Sequence, residues 1–114
     1  MMSEMSEMES TVMELIIHAG EARSASMQAL QAARQHDWSE AESLLKSASE
    51  ASRQAHKIQT ALIGADEGCG KVPVNLILVH AQDHLMNAML CRDLVEELIV
   101  LHKEIQEISK AATH

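Results

Sequence analysis

The chain has 114 residues, enough for one domain with a modest hydrophobic core, and its formal net charge is −8. Nucleic acid and anionic membranes are poor partners for such a chain, because both require a basic surface and the sequence has no Lys/Arg cluster. With one Trp and no Phe or Tyr, the core must be aliphatic, which favours helices over strands.

No apolar run is long enough to span a bilayer, and the N-terminal residues are acidic, unlike a signal peptide. We therefore expect a cytoplasmic protein without membrane insertion, in which Cys69 and Cys91 stay reduced. Residues 1–8 form a Met/Ser/Glu leader that we expect to be disordered, and residues 9–110 are predicted to form a single helical domain.

Two helices are predicted within the first 64 residues. Apolar and small residues recur every three or four positions from about Met8 to His36, which indicates a first helix. Gly20 lies in its middle and suggests close packing there. Asp37 is a good N-cap for a second helix, which is predicted to end at Gly64.

Residues 64–73 (GADEGCGKVP) hold three of the four glycines and the only proline, so they are predicted to form a loop. The segment superficially resembles a phosphate-binding loop. The spacing from Gly64 to the Gly70-Lys71 pair is wrong for that motif, and Val72 stands where Ser or Thr is needed. We interpret it as a connection between helices.

A third helix is predicted from Val74 to about Ser109. Its first half is apolar on nearly every side, and a helix of this kind is usually buried on every side. Three helices of one chain cannot cover it completely. We therefore expect this helix to be central to an oligomer, a cyclic trimer or a larger bundle.

Four polar residues interrupt the apolar surface of the third helix: His80, Asp83, His84 and Asn87. Their spacing places them within roughly a quarter of the helix circumference. Burying each without a partner would cost about 1–3 kcal/mol. This cost indicates a functional cluster, for which three interpretations remain open.

The first interpretation is phosphohistidine chemistry, since a neutral imidazole is a nucleophile near neutral pH and a second His can stabilise phosphoryl oxygens. The second is a zinc site, although Asp83 is shorter than the Glu of the comparable peptidase motif and no third ligand is evident. The third is a non-catalytic adaptor, in which the buried polar residues set the register of a helical oligomer.

Three segments resemble one known family. They are Leu78–Met86 (LVHAQDHLM), Ile16–Ser24 (IIHAGEARS) and Ala55–Thr60 (AHKIQT). The order and spacing, from about Met8 to Ile105, are similar to the lactose/cellobiose family of enzyme IIA proteins of the sugar phosphotransferase system. Within that family the chain looks closest to the cellobiose/chitobiose branch.

The resemblance implies an all-α fold, an antiparallel three-helix bundle that assembles into a homotrimer of nine helices. It implies a phosphotransferase component in which His80 accepts phosphate through Nε2 from the phosphocarrier HPr and passes it to a cysteine of the cognate enzyme IIB. The transported sugar would be a β-linked disaccharide of the cellobiose/chitobiose class.

The resemblance also implies roles for the neighbours of His80. His84 would stabilise the phosphoryl group, and Gln82, on the opposite side of the helix, could reach only the site of a neighbouring subunit. Asp83 from three subunits would meet at the trimer axis and share one divalent cation, Mg²⁺. An apolar collar is predicted to dock the partner proteins. Its members are Leu78, Val79, Met86 and Met89.

Several other polar residues have predicted environments. Arg23 and Gln59 lie on apolar stripes, so each is expected to have a buried polar partner. His18 is interpreted as a helix-face residue and His56 as a packing or capping residue. Solvent exposure is expected for the remaining three histidines, His36, His102 and His114.

Overall fold

A computed structural model describes residues 2–113, with side chains from residue 7 onward. These residues form three α-helices, α1 (Met2–Arg34), α2 (Trp38–Asp66) and α3 (Leu76–Ala112). No strand occurs between residues 2 and 113, so the predicted all-α class is confirmed. The turn 35–37 and the segment 67–75 are short, which makes consecutive helices antiparallel neighbours.

The first helix starts earlier than predicted. α1 includes residues 2–8, although the sequence predicts a disordered leader over residues 1–8; Met1 lies outside the described residues. Met8 packs against the main hydrophobic core, so the core extends into the predicted leader. Because Met and Glu favour helix and each residue added to a formed helix gains a hydrogen bond, the helix continues to Met2.

The second helix begins where the sequence predicts. Asp37 is its N-cap, and its carboxylate accepts a hydrogen bond from the Glu40 N–H at 3.2 Å. α2 continues past Gly64 to Asp66 and ends at Glu67, which has a left-handed φ of 54°. Helices commonly end at a residue with this left-handed conformation, and that residue is usually glycine.

The connection from α2 to α3 is organised by a single carboxylate. Asp66 accepts hydrogen bonds from the backbone N–H groups of Gly70 at 3.3 Å and Val72 at 3.0 Å. Val72 is buried and anchors the segment in the core. The N-cap Asn75 accepts from the Leu78 N–H at 3.0 Å, so α3 begins at Leu76, slightly later than the predicted Val74.

Small side chains dominate the buried faces of α1 and α2. The buried small residues are Ala19, Ala22, Ser26, Ala29 and Ala33 of α1, and Ala41, Ala48, Ala51 and Ala55 of α2. Because these side chains are short, the helix backbones can pack closely. Arg23, predicted to have a buried polar partner, is exposed. The buried face passes through Ala22 and Ser26 instead.

The helices do not contact one another equally. α1 packs extensively on both α2 and α3, whereas α2 and α3 contact each other less and leave a cleft between them. Leu15 of α1 and Leu85 of α3 are the largest apolar side chains that are fully buried. None of the three helices, over its described residues, combines the length and hydrophobicity that a membrane span requires.

Candidate functional site

His80 and His84 lie one turn apart on α3 and form the centre of the candidate site. Their rings are stacked, with centroids 6.0 Å apart and an interplanar angle of 12°. His80 is exposed, whereas His84 is partly buried. The adjacent residues Ala81 and Leu85 are fully buried, so the backbone that carries both imidazoles is held by the core.

Gly20 of α1 lies next to the inner histidine, His84. A Cβ atom built on Gly20 would lie 3.6 Å from Nε2 of His84, which is ordinary van der Waals distance. The space beside Gly20 thus accepts a methyl group, so the structure does not show the unusually close packing predicted there; the nearest side chain to that space is the ring of His84. The His84 imidazole is partly buried beside this part of α1, whereas His80 remains exposed.

Gln82 lies on another side of α3 and does not meet His80 within the chain. Its Oε1 accepts a hydrogen bond from Nε2 of Gln59 on α2, and Gln59 Nε2 also lies 3.8 Å from the Met86 sulfur. The polar partner predicted for Gln59 is thus Gln82. Within one chain, Gln82 fastens α2 to α3.

Asp83 and Asn87 are exposed on α3, and they belong to a longer seam. The seam is a row of residues three or four positions apart that begins one turn after His80: Asp83, Asn87, Leu90, Leu94, Leu98, Leu101, Ile105 and Ile108. Its apolar members are between 40% and 68% exposed. Spacing of this kind is typical of a helix that packs against other helices in a coiled coil.

A single chain does not assemble a metal site from the residues described. No group of three or more His, Cys, Asp or Glu side chains between residues 7 and 113 is arranged to hold a metal ion. The zinc interpretation therefore lacks a ligand set within one chain. The exposed carboxylate of Asp83 fits a cation only if other copies of the chain contribute ligands, because carboxylate oxygens suit Mg²⁺.

The predicted docking collar is only half exposed. Val79 and Met86 are 52% and 55% exposed, whereas Leu78 is buried and Met89 is partly buried. Leu78 faces the core because it lies two turns before Leu85 on the same face of α3. Ile77, on the same turn as His80, was not part of the predicted collar and is 44% exposed.

The remaining histidines have varied environments. His36 is exposed, as predicted, whereas His102 is partly buried, contrary to prediction; His114 lies outside the described residues. His56 is exposed at the cleft between α2 and α3. Nδ1 of His18 is buried and lies 3.6 Å from a carboxylate oxygen of Glu21, too far for a hydrogen bond.

Comparisons with known proteins show which family the chain belongs to. The model of the family described as "PTS system, Lactose/Cellobiose specific IIA subunit" matches residues 10–103. The N,N'-diacetylchitobiose-specific EIIA component of Escherichia coli is 47% identical over 104 residues, which cover 91% of this chain and 90% of that protein.

Two solved structures are also similar. The cellobiose-specific enzyme IIA of Bacillus anthracis has a TM-score of 0.83 at 40% identity, covering 87% of this chain and 91% of that chain. A chain from the complex of IIA(chitobiose) with HPr, from the Escherichia coli phosphotransferase system, has a TM-score of 0.76 at 47% identity. That match covers 86% of this chain and 95% of the other.

Proposed function

This chain belongs to the lactose/cellobiose-specific IIA family of the phosphotransferase system. We therefore propose that His80 is the residue that becomes phosphorylated when the chain transfers phosphate. A IIA component is a phosphotransferase that acts within the system and is not a complete enzyme alone. The observation that carries the assignment to His80 is its exposure beside a stacked, partly buried second histidine.

The proposed reaction consists of two in-line transfers. In the first, Nε2 of His80 forms a bond to phosphorus while the bond from phosphorus to the histidine nitrogen of phospho-HPr breaks. In the second, a cysteine sulfur of the cognate enzyme IIB attacks the same phosphorus, and the bond to Nε2 breaks. Such a reaction depends mainly on positioning and electrostatics.

The neighbours of His80 would contribute positioning. His84 lies one turn away, stacks on His80 and is partly buried, so an N–H of its ring can donate to phosphoryl oxygens without a large loss of side-chain freedom. The exposed apolar residues Ile77 and Val79 lie on the same turn of α3 as His80. They give a transient protein partner an apolar surface to contact.

We also propose that the chain acts as a homotrimer with α3 at the centre. The support is the exposed seam of α3, whose leucines and isoleucines would be covered by the same seam of two other copies. Three Asp83 carboxylates would then converge and repel one another, so we propose that one Mg²⁺ per trimer binds them. Any contribution of Gln82 to the transfer would be at a neighbouring subunit's site.

The sugar class follows from the relatives. The similar proteins are named for N,N'-diacetylchitobiose and cellobiose, and we propose that this chain serves uptake of a β-linked disaccharide of that class. HPr would be the phosphate donor, because the similar IIA(chitobiose) chain forms a complex with HPr. We propose that the chain acts in the cytoplasm.

The test is intact mass measurement after incubation with phosphoenolpyruvate, enzyme I and HPr. The wild type should gain one acid-labile phosphoryl group, and His80→Gln should gain none. His102→Gln, on the same helix, is the matched control and should behave as the wild type. If the wild type gained no mass in active reagents, the carrier proposal would be wrong and the adaptor interpretation would replace it.

A further inference from the structure

Gln59 of α2 and Gln82 of α3 form a hydrogen-bonded pair of amides, close to His80 along the chain. Nε2 of Gln59 donates to Oε1 of Gln82, and both side chains are partly buried. The bond joins the two helices that elsewhere leave a cleft between them. The phosphoryl transfer proposed above uses no side chain of α2, so Gln59 could affect it only through Gln82.

The sulfur of Met86 fixes the direction of this hydrogen bond. It lies 3.8 Å from Nε2 of Gln59. A thioether can accept a hydrogen bond but cannot donate one, whereas an amide NH₂ group can donate twice. The Gln59 amide therefore turns its nitrogen toward both Met86 and Gln82. Gln82 must offer its oxygen to that nitrogen, which leaves its own NH₂ group for another acceptor.

Gln82 and His80 lie on opposite sides of the seam of α3. At about 100° per residue, His80 is about 60° to one side of Asp83, where the seam begins, and Gln82 is about 100° to the other side. Val79 and Met86 lie on the Gln82 side and are 52% and 55% exposed. They form an apolar surface that ends at Gln82, where α2 covers α3.

Rotational symmetry would bring the two sides of the seam together. In a ring of identical copies, one side of each contact patch meets the other side of the same patch on the next copy. In the proposed trimer, with α3 at the centre, equal residues of the three chains lie at equal height along the axis. His80 of one chain therefore faces the apolar surface of the next chain, with Gln82 at its edge.

We propose that Gln59 is a positioning residue for phosphoryl transfer at the His80 of the neighbouring subunit. By holding the oxygen of Gln82, it keeps the Gln82 NH₂ group available to donate to the phosphoryl oxygens. Hydrogen bonds to charged oxygens are strong, and a donor that is already oriented needs no reorganisation during the transfer. The inference rests on the trimer and on the transfer to His80 proposed above.

Reversing the amide pair tests its orientation. Gln59→Glu keeps the shape, but its carboxylate can only accept, so Gln82 must turn its NH₂ group toward residue 59 and its oxygen toward the phosphoryl group. We expect transfer at saturating phospho-HPr, measured by rapid quench, to slow by about 10–100-fold, since a hydrogen bond to a charged group is lost. Gln59→Met, which removes the donor without adding charge, should slow it by about 3–10-fold.

The control for the added charge is Thr60→Glu, at the next residue of α2, which is exposed. Its transfer rate should stay within about 3-fold of the wild type. A loss as large in Thr60→Glu as in Gln59→Glu would overturn the inference, because charge and not the orientation of Gln82 would then explain the slower transfer.

Mixed trimers separate the altered amide from the acceptor histidine. A tagged wild-type chain is co-expressed with an excess of untagged His80→Gln chains. In further preparations the untagged chains also carry Gln59→Glu or Gln59→Met. We expect the tagged chain to be phosphorylated more slowly only beside neighbours with the Gln59 substitution, by the factors given for the uniform trimers.

The outcomes of this experiment distinguish the inference from the function on which it rests. Equal rates beside all kinds of neighbour would overturn the role of Gln59 and leave the carrier function of His80 intact. Absence of a phosphoryl group on the uniform wild type in active reagents would instead overturn the proposed function, and the inference with it.

Discussion

At the residue scale, the two histidines of α3 differ in what surrounds them. His80 and His84 share a helix, a face and a stacked arrangement, yet only His84 is partly buried and lies beside Gly20 of α1. The exposed ring of His80 can contact a phosphorylated partner, whereas the partly buried ring of His84 can adopt fewer side-chain conformations. The different roles proposed for the two residues follow from this difference.

Enlarging Gly20 should disturb His84 and slow phosphoryl transfer. An Ala Cβ would sit at contact distance, 3.6 Å from His84 Nε2, so Gly20→Ala should be tolerated and is the control. The longer side chain of Gly20→Leu would push the ring aside, and misplacement by about 1 Å can cost roughly 100-fold in rate.

Rapid-quench measurement of transfer from phospho-HPr gives the rate for each variant. We expect Gly20→Leu to be slowed by about 10–100-fold and Gly20→Ala by less than about 3-fold. Equal rates for the two variants would show that the position of the His84 ring does not matter to the transfer.

The sequence predicts some residue environments well and others poorly. The cluster on α3 is recognisable because His80 and His84 are separated by one helical turn, and that spacing needs no tertiary information. The prediction of a buried partner for Arg23 is wrong. Residues three or four positions apart can be traced along more than one face of α1, and the face that contains Arg23 is not the buried one. The sequence predicts that Gln59 has a polar partner, because Gln59 lies among apolar residues on one face of α2. Identifying that partner as Gln82 requires knowledge of how α2 is aligned against α3.

At the element scale, the helices are set by local signals that can be read from the sequence. Asp37 with Glu40 predicts the start of α2, and the glycine-rich segment predicts the connection to α3. The predicted starts of α1 and α3 are less accurate. α1 extends to Met2, and Met8 packs on the core. Capping rules use only the local sequence and so do not take such packing into account.

Removing the N-cap of α2 should lower the stability of the fold. Asp37→Ala deletes the acceptor for the Glu40 N–H, and losses of this kind cost about 1 kcal/mol. The measurement is the urea midpoint at fixed protein concentration. Glu14→Ala, an exposed acidic residue within α1, is the control and should change stability by less than about 0.5 kcal/mol. A midpoint for Asp37→Ala equal to that of the control would rule out a capping contribution.

At the scale of the whole molecule, one chain leaves a long apolar seam uncovered. The described part of the chain measures 70 × 24 × 19 Å, so α3 runs along most of its length with leucines and isoleucines exposed. The sequence predicts that α3 needs cover from outside the chain, since its first half is apolar on nearly every side. The number of copies that supply this cover cannot be read from one chain.

Two substitutions in the seam should act in opposite directions on assembly. Asp83→Leu removes three converging carboxylates from the proposed trimer and should raise the melting temperature, by about 4–8 °C for each kcal/mol gained. It should also abolish any effect of a chelator on that temperature. Leu94→Glu places new charges in the seam and should dissociate the assembly.

Sedimentation velocity checks both outcomes. We expect a trimer for the wild type and Asp83→Leu, and monomers for Leu94→Glu; Leu94→Met, which preserves the apolar seam, is the control. Dissociation of Asp83→Leu would contradict the axial position of Asp83. A monomeric wild type would contradict the trimer itself.

The aliphatic core leaves the protein with one intrinsic fluorophore, because Trp38 is its only tryptophan and it has no tyrosine. The indole N–H donates to Gln106 of α3 at 3.0 Å, the Lys103 ammonium lies 5.7 Å from the ring centre, and the His36 ring stacks on the indole with centroids 5.7 Å apart. Its emission therefore reports whether the distal half of α3 stays attached to α2. Trp38 is thus a natural fluorescent probe of the end of α3 that lies farthest from His80.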